Sequence, residues 1–140
     1  MELSDYFLYD VFLICTVREA DEKDRNFIDN YVSNLEDQGK RVYYPAADTN
    51  QIDESGGYRI CSDNLKAIMD SQEVHVYWTQ KSQGTKFDLG IAFMEHRTKN
   101  KKVRLANRND VEEIVKEQRK NGQKKSFEMV LLNLDDLANQ

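Results

Sequence analysis

The stretch Tyr9-Asp10-Val11-Phe12-Leu13-Ile14-Cys15 decides the fold of this 140-residue chain. It is short, apolar, and rich in β-branched and aromatic side chains, which is typical of a buried strand. A helix is predicted next, over residues 21–39, with Phe27, Tyr31 and Leu35 on one stripe and Gly39 at its end. A buried strand followed by an amphipathic helix is the beginning of a βαβ unit.

The same alternation continues to the end of the chain. Further helices are predicted at 58–70, 86–97 and 110–120, a short one closes the chain, and residues 46–57 form a long polar loop. Alternating strands and helices predict a parallel sheet with helices on both faces. We therefore expect one α/β domain over residues 1–140, a flavodoxin-like or Rossmann-like three-layer sandwich with a mainly parallel five-stranded sheet. The other four strands are predicted at 41–44, 74–78, 102–106 and 127–132.

Composition excludes several classes of function. The net charge is −5, so a nucleic acid polymer would be repelled on average. No apolar run approaches the ~20 residues of a membrane span. The N-terminus has no signal-peptide layout, and Cys15 and Cys61 form no metal-type pair. His75 and His96 lack matching ligands. We expect a reduced, cytoplasmic protein without a metal site, a cofactor or a membrane partner.

Three polar segments should meet at the carboxyl edge of the sheet, where ligands of such folds bind. They are residues 16–19, 45–57 and 79–88. In the third, Gly84 would let the backbone approach a ligand, and the helix start would favour an anion. Asp88, expected in the first helical turn, has a carboxylate that could attack an anomeric carbon. The alternative is that Asp88 merely complements the helix dipole, and spacing alone favours that alternative.

Other candidates have two interpretations each. Thr16 and Arg18 follow the first strand and suit a phosphate, although Arg18 could equally pair with an acidic neighbour. Asn64 could face the crevice or simply be solvated. Tyr77 and Trp78 could stack on a base, but such aromatics more often belong to a core. The third strand carries no aspartate at its end, which argues against a phosphoacceptor receiver domain.

Taken together, these segments resemble the nucleoside 2-deoxyribosyltransferases and the 2′-deoxynucleoside 5′-monophosphate N-hydrolases. The similarity covers about residues 11–94, and its most specific part is Gly84-Thr85-Lys86-Phe87-Asp88-Leu89-Gly90. The resemblance implies that Asp88 stands at the position of the nucleophilic glutamate and Asn64 at that of an assisting aspartate. It also implies that Thr16, Arg18 and Ser82 hold a 5′-phosphate, and that the protein is a homodimer or larger assembly.

Two departures from that family bear on turnover. Aspartate replaces glutamate at 88, and a displacement of ~1 Å can cost roughly a hundredfold in rate. Asn64 cannot exchange a proton as a carboxyl does, and Asp63 would point about 100° away around the helix. We expect an N-glycosidase acting on (deoxy)nucleoside 5′-monophosphates. The alternatives are a deoxyribosyltransferase, a catalytically impaired nucleotide-binding or sensing protein, and a related nicotinamide-dinucleotide glycohydrolase.

Overall fold

A sheet of four parallel strands forms the centre of the computed structural model, which describes residues 2–140. The strand order is β2-β1-β3-β4, and every neighbouring pair is parallel. The register pairs Val11 with Val42, Ile14 with Val76, and Val76 with Leu105. The α/β class and the parallel sheet are therefore confirmed. The strands are β1 (Tyr9–Ile14), β2 (Val42–Tyr43), β3 (Ser71–Val76) and β4 (Lys102–Leu105).

Helices cover both faces of this sheet. On one face, α1 packs Ile28 and Val32 against Leu13 of β1. On the other, Ile68 of α3 and Leu89 of α4 belong to the larger core around β1 and β3. A 3-10 turn, Leu3–Tyr6, precedes β1. The helices are α1 (Glu22–Asp37), α2 (Pro45–Asp48), α3 (Tyr58–Met69), α4 (Gln83–Lys99), α5 (Arg108–Lys120) and α6 (Phe127–Ala138).

The predicted fifth strand over 127–132 is wrong, because those residues begin α6. The Ser126 hydroxyl oxygen caps this helix by accepting a hydrogen bond from the Met129 N–H. Its buried residues Leu131, Leu134 and Ala138 recur at helical spacing. Helix α6 lies along β4, whose Leu105 N–H donates to the carboxylate of Asp135 at 2.8 Å. A side chain thus satisfies a backbone group of the sheet edge that a fifth strand would have paired.

The predicted inward faces of α3 and α4 are also partly wrong. Leu65 is 37% exposed, whereas its neighbour Asn64 is buried. Phe87 and Met94 are 58% and 52% exposed, whereas Asp88 is buried. Both helices therefore turn a polar residue toward the interior and leave apolar side chains on the surface. Counting apolar residues alone could not show this, because the buried polar residues belong to the crevice described below.

The topology fixes where a crevice can form. The chain leaves β1 for β2 on one side, and β3 lies on the other side of β1. Connections that diverge in this way open a gap beyond the carboxyl ends of the two central strands. The segments after β1 and β3 border this gap, and the N-terminus of α4 points its first turn there. No helix within residues 2–140 has the length and apolarity needed to cross a membrane.

Candidate functional site

A cavity of about 550 Å³ lies at the carboxyl ends of β1 and β3. Residues from all three predicted segments line it, including Arg18, Gln51, Ser82 and Asp88, together with Asn64 of α3. Its volume falls within the range of about 300–1,000 Å³ that small-molecule sites occupy. The structure thus brings five of the predicted site residues to one cavity: Arg18, Asn64, Ser82, Gly84 and Asp88.

Asp88 is the buried carboxyl group of this cavity. It is only 8% exposed, and burial raises its pKa from the ordinary 3.8 to about 7. One hydrogen bond opposes that effect, from Asn64 Nδ2 to Asp88 Oδ2 at 3.5 Å. No ion pair to Asp88 occurs among the described residues. A carboxyl with such a pKa can be ionised or protonated near neutral pH, which suits acid–base chemistry, and its ionised form can also act as a nucleophile.

The position of Asp88 in its helix differs from the expectation. Helix α4 begins at Gln83, so Asp88 lies in the second turn and the first turn carries no acidic residue. The helix begins early because Ser82 caps it, accepting from the Thr85 N–H at 3.2 Å. A carboxylate in the second turn gains little from the unpaired N–H groups of the first turn. The structure thus weakens the simple dipole explanation of Asp88.

Asn64 is held on both sides of its amide. Its Oδ1 accepts a hydrogen bond from the Thr49 hydroxyl at 2.8 Å, while its Nδ2 faces Asp88. The Thr49 hydroxyl in turn contacts the Tyr43 hydroxyl at 2.5 Å. All four side chains are at least nine-tenths buried. Asp63 points to the surface instead, where it pairs with Arg59, as its helical position predicts.

Arg18 supplies a positive charge to the cavity. Its side chain is exposed at the rim, and no hydrogen bond or ion pair engages it among the described residues. The neighbouring Glu19 also lines the cavity, but its carboxylate accepts from the Thr16 hydroxyl at 3.3 Å. The sequence alone allows Arg18 to pair with an acidic neighbour, but no such pair forms in the described part of the chain. Arg18 is thus available to an anionic group of a ligand.

The N-terminus of α4 forms the wall next to Asp88. Ser82 is buried, and its oxygen also accepts from the Thr85 hydroxyl at 2.8 Å. Gly84 lines the cavity two residues further on, and a Cβ placed there would meet nothing within 4 Å. The absent side chain therefore leaves open space on the cavity wall. Exposed N–H groups at such a helix start favour an anion.

The loop before α3 supplies residues that were not singled out from the sequence. Gly56 and Gly57 line the cavity with φ of 74° and 104°, a left-handed conformation that favours glycine. Asp53 also lines it, but its carboxylate accepts hydrogen bonds from Ser55 and from the Ile60 N–H, which hold its pKa at about 2. Asp53 is therefore a fixed cap of α3. The adjacent glycines and the length of the loop were the available sequence signals.

Three predicted residues lie away from the cavity. Thr16 is buried and does not line it. Tyr77 packs beside Phe27 on the α1 face, and its hydroxyl donates to Asp24 at 2.7 Å. Trp78 is 2% exposed, and its indole N–H donates to Glu128 at 2.6 Å. Both aromatic rings belong to the core, so the structure does not bring them to a base bound in this cavity.

Two thiols complete the lining near Asp88. Burial is the larger cause and the nearby Asp88 charge the smaller, and together they raise the pKa of Cys15 to about 12. The same two causes raise the pKa of Cys61. Both side chains are therefore neutral thiols and poor nucleophiles at neutral pH. Within residues 2–140 no three His, Cys, Asp or Glu side chains are arranged to hold a metal ion.

A scan of the chain against known protein families finds no match, and a search of curated proteins finds none either. What the structure defines is an α/β domain with a parallel sheet and, at its central switch point, a cavity lined by both apolar and polar residues. The chemistry of that cavity is the basis for assigning a function.

Proposed function

We propose that this cavity binds a (deoxy)nucleoside 5′-monophosphate and that Asp88 cleaves its N-glycosidic bond. The observation that carries the proposal is the buried Asp88 carboxyl, which has no cationic partner within residues 2–140 and a pKa raised to about 7. An ionised carboxylate in a largely apolar wall attracts a carbon that develops positive charge, such as C1′ of a sugar. The resemblance to the N-hydrolases points to the same bond.

The reaction has two steps. An Asp88 carboxylate oxygen bonds to C1′ while the bond from C1′ to the base nitrogen breaks, and its electron pair leaves with the base. The departing base takes a proton from water, because the Asn64 amide is not an acid at neutral pH. Water then attacks C1′ and gives its proton to the hydroxide left by the first step, which releases sugar phosphate and regenerates the Asp88 carboxylate.

Charge placement supports a monophosphate as the ligand. Arg18 at the rim and the start of α4 beside Gly84 are the two electropositive features of the cavity. A 5′-phosphate placed between them would leave the sugar over Asp88, since Ser82 and Asp88 lie on one helix less than two turns apart. The unphosphorylated nucleoside that a transferase uses would have no need of Arg18.

A second candidate function is nucleotide binding without fast turnover. The specific observation is Asn64, whose amide is engaged by Thr49 and by Asp88 and supplies no acid. A site with a carboxylate but no proton donor binds its ligand and releases the base slowly. A nucleotide-sensing protein would need only that binding.

The test is base release from a panel of deoxynucleosides, nucleosides and their 5′-monophosphates, followed by mass spectrometry. The wild type should release free base from a monophosphate, and Asp88→Asn should abolish release while retaining binding. Asp63→Asn, which removes an exposed carboxylate beside Asn64, is the matched control and should remain active. Binding without release by the wild type would favour the sensing function. Transfer of the sugar to an added base would favour a transferase.

A further inference from the structure

We propose that Tyr43 and Thr49 are positioning residues that hold the Asn64 amide with its N–H toward Asp88. Neither residue is at the cavity wall, and neither touches the space that a ligand would occupy. Their effect would be indirect, through the orientation of one buried amide. The consequence for turnover rests on the proposed function, but the orientation itself does not.

The hydrogen bonds between these residues have only one satisfactory direction. The Thr49 hydroxyl has one proton, and it donates that proton to Asn64 Oδ1 at 2.8 Å. The contact of 2.5 Å between the Thr49 and Tyr43 hydroxyls must then be a donation from Tyr43. Protons are donated from Tyr43 to Thr49 and from Thr49 to Asn64 Oδ1, which leaves the Asn64 Nδ2 group to donate to Asp88.

The reverse order leaves a buried proton without an acceptor. If the Asn64 amide flipped, its N–H would donate to Thr49, and Thr49 would donate to Tyr43. The Tyr43 phenol would then need another acceptor, and Thr49 is its only hydrogen-bond partner among the described residues. Tyr43 is 8% exposed, so its unpaired proton would be costly. The phenol therefore sets the direction of the whole chain of hydrogen bonds.

Packing fixes the two hydroxyls in place. The Tyr43 ring stacks on Phe12 with centroids 5.3 Å apart, and the Tyr9 ring meets it edge-on at 5.2 Å. The Thr49 N–H donates to the Pro45 carbonyl at 3.0 Å, at the end of α2. The Thr49 carbonyl accepts from the Gln51 side chain at 3.0 Å. Neither hydroxyl can move without disturbing the core or the loop that borders the cavity.

The orientation of Asn64 determines which form of Asp88 is favoured. An N–H toward the carboxylate stabilises the ionised form, whereas a carbonyl in that place would accept the proton of the neutral acid. Other charged or titratable groups facing the cavity are the Cys15 and Cys61 thiols and the side chains of Arg18, Glu19 and Asp53. These groups stay the same when a hydroxyl is removed from Tyr43 or Thr49. A changed titration of Asp88 would therefore report a change in the orientation of the Asn64 amide.

The experiment follows the Asp88 carboxyl resonance by carbon NMR in the full chain labelled at aspartate, assigned by its loss in Asp88→Asn. Tyr43→Phe keeps the ring and its stacking, and Thr49→Val keeps the shape of the side chain. Each should raise the titration midpoint of Asp88 by roughly 0.5–1 pH unit. Thr49→Ser retains the hydroxyl and should match the wild type. Tyr77→Phe removes a buried phenol on the opposite face and should also match it.

An Asp88 midpoint that stays at the wild-type value in folded Tyr43→Phe and Thr49→Val would overturn the proposal. Loss of the fold in both variants would overturn it too, because the pair would then support the fold rather than the amide. The titration needs no turnover, so it is separate from the proposed function. If base release occurs, the acidic limb of its pH–rate profile should shift together with the titration midpoint of Asp88. If no base is released, the NMR shift still decides the positioning role.

Discussion

Replacing Asp88 by asparagine should make the stability of the protein less dependent on pH. Burial raises the Asp88 pKa from 3.8 to about 7, so the folded protein retains a proton that the unfolded chain has already lost. A raised pKa in the folded state contributes stability that is fully present below about pH 4. That stability is lost as the pH rises toward 7. Asp88→Asn keeps the shape of the side chain and has no charge to bury.

The size of the effect follows from the two pKa values. Each pH unit between 3.8 and about 7 is worth about 1.4 kcal/mol, which gives a total of about 4 kcal/mol above pH 7. From about pH 5 to about pH 8.5, the wild type should lose about 3 kcal/mol more than Asp88→Asn. That loss is a large part of the 5–15 kcal/mol by which a typical domain is stable. Solvent that reaches Asp88 through the cavity would reduce this difference between the wild type and Asp88→Asn.

Urea unfolding monitored by circular dichroism measures this difference directly. The gain in unfolding free energy from Asp88→Asn should increase across the range and level off above pH 7. Asp37→Asn, which removes an exposed carboxylate near the end of α1, is the matched control and should give a curve parallel to the wild type. A gain from Asp88→Asn that is the same at every pH would refute the argument that burial controls the Asp88 carboxyl.

Three further outcomes are expected. Arg18→Ala should weaken the binding of a deoxynucleoside 5′-monophosphate at least tenfold in calorimetry and leave the affinity for the deoxynucleoside unchanged. The control Arg97→Ala, on the exposed side of α4, should change neither affinity. Equal losses for both ligands in Arg18→Ala would contradict the phosphate role. Gly84→Ala and Gly90→Ala should each raise the unfolding free energy by about 0.5–1 kcal/mol, because both positions are helical and have open space for a Cβ. Only Gly84→Ala should weaken ligand binding, because only Gly84 lines the cavity. If the chain is a homodimer held by the exposed apolar faces of α3 and α4, Met94→Glu should lower the mass seen by light scattering at micromolar protein; a monomeric wild type would contradict this assembly.

Much of the fold could be predicted because β1 is a short apolar run and because strand and helix signals alternate along the chain. β1 and β4 occur within one residue of their predicted bounds. The strand prediction over 127–132 is wrong because a mostly apolar segment of six residues has no decisive period. The Ser126 cap and the continuation of the apolar spacing to Ala138 are what make it helical. Both signals lie outside the run itself.

The site was predictable where topology alone places residues. Arg18, Ser82 and Asp88 follow central strands, so their convergence required only the strand order. Asn64 was harder to place, because a polar residue on a helix is usually solvated, and the expected inward residue was Leu65. Thr49 could not be found at all. Its role depends on the path of an irregular loop, which has no periodic sequence signal.

The aspartate at position 88 and the asparagine at position 64 are best understood together. A buried carboxylate next to a second carboxylate would push one of the two pKa values still higher, because like charges cannot both ionise at short distance. Asn64 removes that repulsion and offers an N–H, so Asp88 remains ionisable near neutral pH. The same exchange removes the acid that would protonate a leaving base. The pair therefore favours a carboxyl that can ionise near neutral pH over rapid proton transfer, and the chemistry open to the site depends on how well water can supply that proton.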